Sequence, residues 1–215
     1  MKVAIIGESP ADEAAYGVLV ESILGNPVER IDPSLRRRPS GWPHVIQRLP
    51  SIIKYLYHST NAHRMVIVVD SDHTPLHGPS HDDEEGSEPD CRLCQMRWLI
   101  ARETSRLPTL ATRSKLLTAA GLAVPCLEAW LLCGTDKRAS EATWRQFLHE
   151  RADAGRIRQW KLELKQKVYG TDRPGLERET RCGVNQAQRL AANLDILRHH
   201  FPGGFGPSES DLKHW

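Results

Sequence analysis

Four β-branched residues, Val66-Ile67-Val68-Val69, run straight into Asp70-Ser71-Asp72, so two carboxylates stand one residue apart at the end of a buried-type strand. In the middle of a sheet, like charges that close repel and resist burial. At the carboxyl end of a strand, facing solvent and a cation, they can work. Two further acids follow apolar runs: Glu8 after 3-VAIIG-7 and Glu128 after 119-AAGLAVPCL-127. Clustered hard oxygen ligands suit Mg²⁺ or Mn²⁺. On alternate positions of an extended segment, Asp70 and Asp72 point the same way and can share one cation or bridge two. Glu8 would then bind the metal or move a proton. Each acid also has a plainer reading, Asp70 and Asp72 as a strand-ending turn and Glu128 as an early-helix acid favoured by the helix dipole.

The elements that must position these acids can be read from apolar periodicity. Residues 3–7 and 65–69 are continuous apolar runs, the pattern of buried parallel strands. A weaker strand is expected at 28–31 and a last one from 119, leading through Pro125 into a helix. Between them, helical spacing spans residues 10–24, closed by Gly25-Asn26, then 44–59 with a break or kink at Pro50, then 92–106. The order β-α-β-α-β-α-β-α predicts an α/β fold, a parallel sheet wrapped by helices, in which ligands gather at the strands' carboxyl ends. Beyond residue 138 the pattern is helical only, near 140–151, 154–168 and 185–200. The Gly/Pro-rich end, 201-FPGGFGPSESDLKHW-215, is expected to lie over the surface.

Glu8 after the first strand, Asp70-x-Asp72 after the third, and 128-EAWLL-132 following 124-VPCL-127 together resemble the Toprim fold of topoisomerases, primases and nucleases of the overcoming-lysogenization-defect type. More narrowly, the chain is similar to small stand-alone Toprim-like proteins that carry the Glu-Ala-Trp-Leu-Leu segment. The resemblance covers residues 1–135. It implies a Toprim-like (Rossmann-like) catalytic domain over 1–138, with an inserted loop at 71–90, and a helical extension over 139–215. It also implies Mg²⁺-dependent phosphodiester chemistry with Glu8, Asp70, Asp72 and Glu128 as catalytic or metal-binding residues. A nuclease in bacterial anti-phage defence or repair, working with an ATPase partner, fits that resemblance, since no Gly-x-x-x-x-Gly-Lys-Ser/Thr occurs here. The chain departs from the family in one respect. Relatives carry Glu-Gly with a second acid several positions on, whereas Gly7 here precedes Glu8 and Ser9-Pro10 follow, leaving Asp12 and Glu13 as candidates for the second acid.

Two other features bear on chemistry. Cys91-x-x-Cys94 has the spacing of half a zinc site, with His73, His77 and His81 just upstream and Cys126, Cys133 and Cys182 elsewhere as further ligand candidates. Its plainer reading is two thiols at a helix start. Arg36, Arg37 and Arg38 cluster near Trp42, while Arg158, Lys161 and Lys165 share one helical face. Such groups track nucleic-acid phosphates or simply solvate a surface, as the 82-DDEE-85 run does.

The 215 residues, 40% hydrophobic and 26% charged with a net charge of +2, describe an ordinary globular chain. No apolar run reaches the ~18 residues that span a bilayer. The first residues acquire charge too soon for a signal peptide, and five cysteines are an odd number. A cytoplasmic protein without structural disulfides is expected. Two rival functions stay open. Asp70-x-Asp72 can serve as the metal–nucleotide motif of a glycosyltransferase acting on a sugar nucleotide, or the fold can be a non-catalytic interaction module.

Overall fold

The computed structural model describes residues 1–32, 41–81, 88–109, 115–150 and 153–215. It is an α/β protein with a four-stranded, all-parallel sheet flanked by helices, consistent with a Rossmann-like fold. The strands are β1 (Lys2–Ile6), β2 (Glu29–Arg30), β3 (Arg64–Asp70) and β4 (Leu117–Ala123), in the order β2-β1-β3-β4. Ile6 pairs with Ile67 and Asp70 with Ala123, so β1, β3 and β4 deliver their carboxyl ends to one edge. The central runs Val3–Ile6 and Met65–Val69 are buried on both faces, the burial that their unbroken apolar character requires.

Helix α1 (Pro10–Leu24) begins where β1 ends. Ser9 caps it by accepting from the Asp12 amide at 3.1 Å, Pro10 occupies the first turn, and left-handed Gly25 closes it. Gly7 suits this tight junction, because a Cβ there would lie 3.0 Å from the Asp12 Cβ and 3.2 Å from the Glu13 nitrogen. Helix α2 (Trp42–Ser59) runs through Pro50 as one element, so of the expected break or kink the break does not occur. Its buried Val45, Leu49, Ile52, Ile53 and Leu56 hold it in place despite the lost hydrogen bond. Helix α3 (Arg92–Ser105) packs beside α2 and against β4.

After β4 the chain forms the short α4 (Leu127–Leu131), then α5 (Glu141–His149), α6 (Ala154–Tyr169), α7 (Leu176–Ala191), α8 (Leu194–His200) and α9 (Phe205–Lys213). Helix α7 lies along α1, and α6 lies against α4. Residues from both sides of position 138 enter one hydrophobic core. The final segment corrects the expectation of a surface tail. Leu212 of α9 is buried, as are Phe205 at its start and Phe201 ahead of it. Trp130, from the Glu-Ala-Trp-Leu-Leu segment, is the hub they pack on, with ring centroids 6.2 Å from Phe201, 5.5 Å from Phe205 and 5.9 Å from Tyr16. The same segment covers the open edge of β4. The Leu122 amide donates to the Gly204 carbonyl at 3.1 Å and the Ala120 amide to the Asp211 carboxylate at 3.3 Å. Among the described residues no helix is long and apolar enough to cross a membrane.

Candidate functional site

The acids expected to meet do meet. Glu8 Oε1 accepts the backbone amide of Asp70 at 3.0 Å, tying the end of β1 to the end of β3. Asp70 Oδ1 accepts the Leu127 amide at 3.1 Å, tying β3 to the start of α4. Glu128, the next residue, is buried in that first turn. Asp12 sits on the first turn of α1, where the charges of Glu128 and Glu8 both reach it.

Asp72 reaches the site by a different route from the one expected. It is not part of an extended segment, because its φ is 49°, a left-handed conformation that Asp tolerates better than most residues. The turn is held by the Ser71 amide donating to the Ala123 carbonyl at 2.7 Å and the Asp72 amide to the Pro125 carbonyl at 3.0 Å. Asp70 and Asp72 still converge, on a single ammonium group. Lys161 of α6 donates to Asp70 Oδ2 at 3.1 Å and to Asp72 Oδ1. Arg92, the first residue of α3, donates from Nη1 to Asp72 Oδ2 at 2.7 Å and to the Asp70 carbonyl at 2.5 Å.

Electrostatics divide the acids into two kinds. Burial, aided by the charges of Glu8, Glu128 and Asp12, holds the Asp70 carboxyl well above the usual carboxylate range despite Lys161. Burial and the charge of Asp72 also raise Glu8, against the pull of the Asp70 amide. Asp12 is pushed up to about 7, first by burial and then by Glu128. Asp72 goes the other way. Burial opposes its ionisation, but Lys161 and Arg92 together outweigh burial and lower it. The Cys126 thiol, buried beside Glu128 and Asp70, is raised and stays protonated.

A cleft of about 660 Å³ opens beside the site, lined by Asp72, His73, Arg158, Lys161, Lys165 and Asp172. Arg158, Lys161 and Lys165 thus share one face, as their spacing predicts, but they do not form a free basic stripe. Lys161 is engaged by Asp70 and Asp72, and Lys165 lies 3.7 Å from Glu128 and 3.9 Å from Glu179. Arg158 is exposed. Arg36, Arg37, Arg38 and the acidic run 82–85 lie outside the described residues. Of the two candidates for the second acidic position, Asp12 is the one raised by the cluster, while Glu13 lies alongside Gly7.

Sequence reasoning missed Arg92 and Tyr169. The Tyr169 phenol is raised by burial and by Glu128 and Asp12. Positions 161, 165 and 169 form an i, i+4, i+8 series, a signal that was present in the chain. Arg92 has no such pattern, because its place depends on the fold of the loop before it.

On the other side of Arg92, Cys91 and Cys94 meet His77 and His81. All four ligand atoms lie within 4.8 Å of one another, a group able to hold a metal ion. His73 is not part of it, and neither are Cys126, Cys133 and Cys182. Compared with family models, with curated proteins and with solved structures, the chain matches none.

Proposed function

We propose that the chain is a Toprim-like, Mg²⁺-dependent nuclease that hydrolyses nucleic-acid phosphodiester bonds, an effector of a bacterial defence or repair system that acts in the cytoplasm beside an ATPase. The observation that supports it most is the convergence of Glu8, Asp70 and Asp72 at one sheet edge, with the proton affinities of Glu8 and Asp70 raised. Buried carboxylates this close together ionise only with a counter-charge, and the hard oxygen set is the kind Mg²⁺ takes. Asp70 and Asp72 would hold the ion, which when bound stabilises charge on the phosphate and lowers the pKa of an attacking water.

The chain's own groups supply the rest. Lys161 stands between Asp70 and Asp72 as an internal cation, and its flexible stem lets the ammonium swing into the cleft. There it joins Arg158 to meet the phosphate backbone. Arg92 keeps Asp72 ionised and in place. Glu8, which holds its proton more tightly than an ordinary Glu, is suited to protonate the leaving oxygen. The test is a cleavage assay on DNA and RNA with Mg²⁺ or Mn²⁺. Glu8→Gln and Asp70→Asn should each lose at least ~100-fold in rate while remaining folded. Undiminished cleavage by both variants sinks the proposal.

One observation favours a second reading. Lys161 already neutralises part of the cluster, as a permanent counter-ion would in a non-catalytic interaction module. Calorimetry separates the two, because a module of that kind gives no binding heat with Mg²⁺ or Mn²⁺.

A further inference from the structure

The loop between β3 and α3 ends in a cluster that the acidic site does not use. It has the spacings His77-x₃-His81 and Cys91-x₂-Cys94, both within the ranges that tetrahedral zinc sites use. Cys91 Sγ lies 3.8 Å from His77 Nδ1, Cys94 Sγ lies 3.5 Å from the same nitrogen, and Cys94 Sγ lies 3.7 Å from His81 Nδ1. Zinc bonds of about 2.3 Å to sulfur and about 2.05 Å to nitrogen, at the tetrahedral angle, place S and N about 3.6 Å apart. The observed distances bracket that value.

Hydrogen bonding between thiols and imidazoles explains the arrangement less well. A ring nitrogen has one lone pair or one proton, yet His77 Nδ1 faces two sulfurs. Cys94 Sγ in turn faces two rings. These shared contacts, with all four ligand atoms within 4.8 Å of one another, describe one common centre better than separate pairs. Cys91, Cys94 and His77 are at most 4% exposed, as in the closed sites where zinc is structural.

We propose that His77, His81, Cys91 and Cys94 bind one zinc ion that fastens the loop after β3 to the start of α3. The ion would act on the acidic site through Arg92, which lies between the two cysteine ligands. Its guanidinium is nearly buried, packs 5.2 Å from the Trp42 ring centroid and holds Asp72 and the Asp70 carbonyl. Arg92 is a positioning residue here, and zinc fixes the backbone from which it reaches. The zinc site stands on its own ligands and does not depend on nuclease activity.

The test measures metal content in the full chain purified without chelator, then replaces the metal with Co²⁺. The expected result is one zinc per chain and, with Co²⁺, the visible bands and thiolate charge transfer of a tetrahedral Cys₂His₂ site. His81 is the least buried ligand, so His81→Ala should stay folded and weaken zinc binding by more than the ~10–100-fold that loss of an outer-shell partner costs. Cys94→Ser should weaken the charge-transfer band, leaving only the contribution of Cys91. In the wild-type protein, circular dichroism with and without metal reports folding independently of any variant. Metal-free protein that is folded, with Cys91 and Cys94 either free or joined as a disulfide and no tetrahedral Co²⁺ spectrum, overturns the proposal. Zinc with no cleavage activity would leave this site standing while removing the nuclease reading.

Discussion

At the scale of single residues, the site is defined by how unevenly charge is relieved. Asp72 has two cationic partners and stays ionised, whereas Asp12 has Ser9 and two acidic neighbours. Asp12 titrates near 3.8 in an unfolded chain and at about 7 in the folded one. Between those values the folded state holds a proton that the unfolded state has released, so stability falls as pH rises across that window. Asp12→Asn removes this loss. In buffer free of divalent cations, the variant should match the wild type near pH 4 and exceed it at pH 8 by roughly 2 kcal/mol, a figure reduced for the partial exposure of the group. Urea denaturation at the two pH values checks this, and equal stability at pH 8 would show that Asp12 is not strained by the cluster. The acids themselves were legible in the sequence, because each follows an apolar run that ends at the ligand-gathering edge. Their pairing with Lys161 and Arg92 was not, because both cations reach the site from elements whose placement is set by tertiary packing.

At the scale of elements, α6 is what brings the helical extension into the site. Its Lys161 and Lys165 reach the acids from above the sheet edge, and Trp160 and Leu164 anchor it on its buried side. Lys161→Met keeps the stem and removes the charge. The variant should lose about 2 kcal/mol of stability without divalent cation, less than for a fully buried pair because both Asp partners are partly exposed. If the carboxylates are a metal site, Mg²⁺ should then raise the melting temperature of the variant more than that of the wild type. Absence of a Mg²⁺ effect in both proteins would instead assign Lys161 the role of permanent counter-ion. The β-α alternation through residue 131 was legible because continuous apolar strands and capped helices have distinct periods. Pro50 does not break α2, because local propensity is weaker than the six buried side chains that hold it. The left-handed turn at Asp72 was hidden for a related reason, since it depends on backbone bonds to Ala123 and Pro125 that form only beside β4.

At the scale of the whole molecule, the C-terminal segment is part of the core, and its Gly/Pro richness concealed this. Gly203 and Gly204 thread the chain between the loop carrying His77 and the edge of β4. A Cβ at residue 203 would fall 2.2 Å from the His77 carbonyl oxygen, and one at residue 204 would fall 2.1 Å from the Leu122 oxygen. The Glu141 carboxylate holds the pair by accepting both amides, at 3.0 and 2.7 Å. These contacts are with backbone, which cannot step aside as a side-chain tip can. Gly204→Ala should therefore cost about 3 kcal/mol or more, the upper end of overpacking. It should also speed hydrogen exchange at the Ala120 and Leu122 amides, whose partners belong to the displaced segment. Gly206, two residues on, is the matched control, since nothing lies within 4 Å of a Cβ there and the residue is inside α9. Gly206→Ala should leave exchange unchanged and stabilise the protein by about 0.5–1 kcal/mol through helix propensity and a less flexible unfolded chain. If Gly204→Ala behaved like Gly206→Ala, the segment would not be packed against β4, and the sheet edge would need another cover.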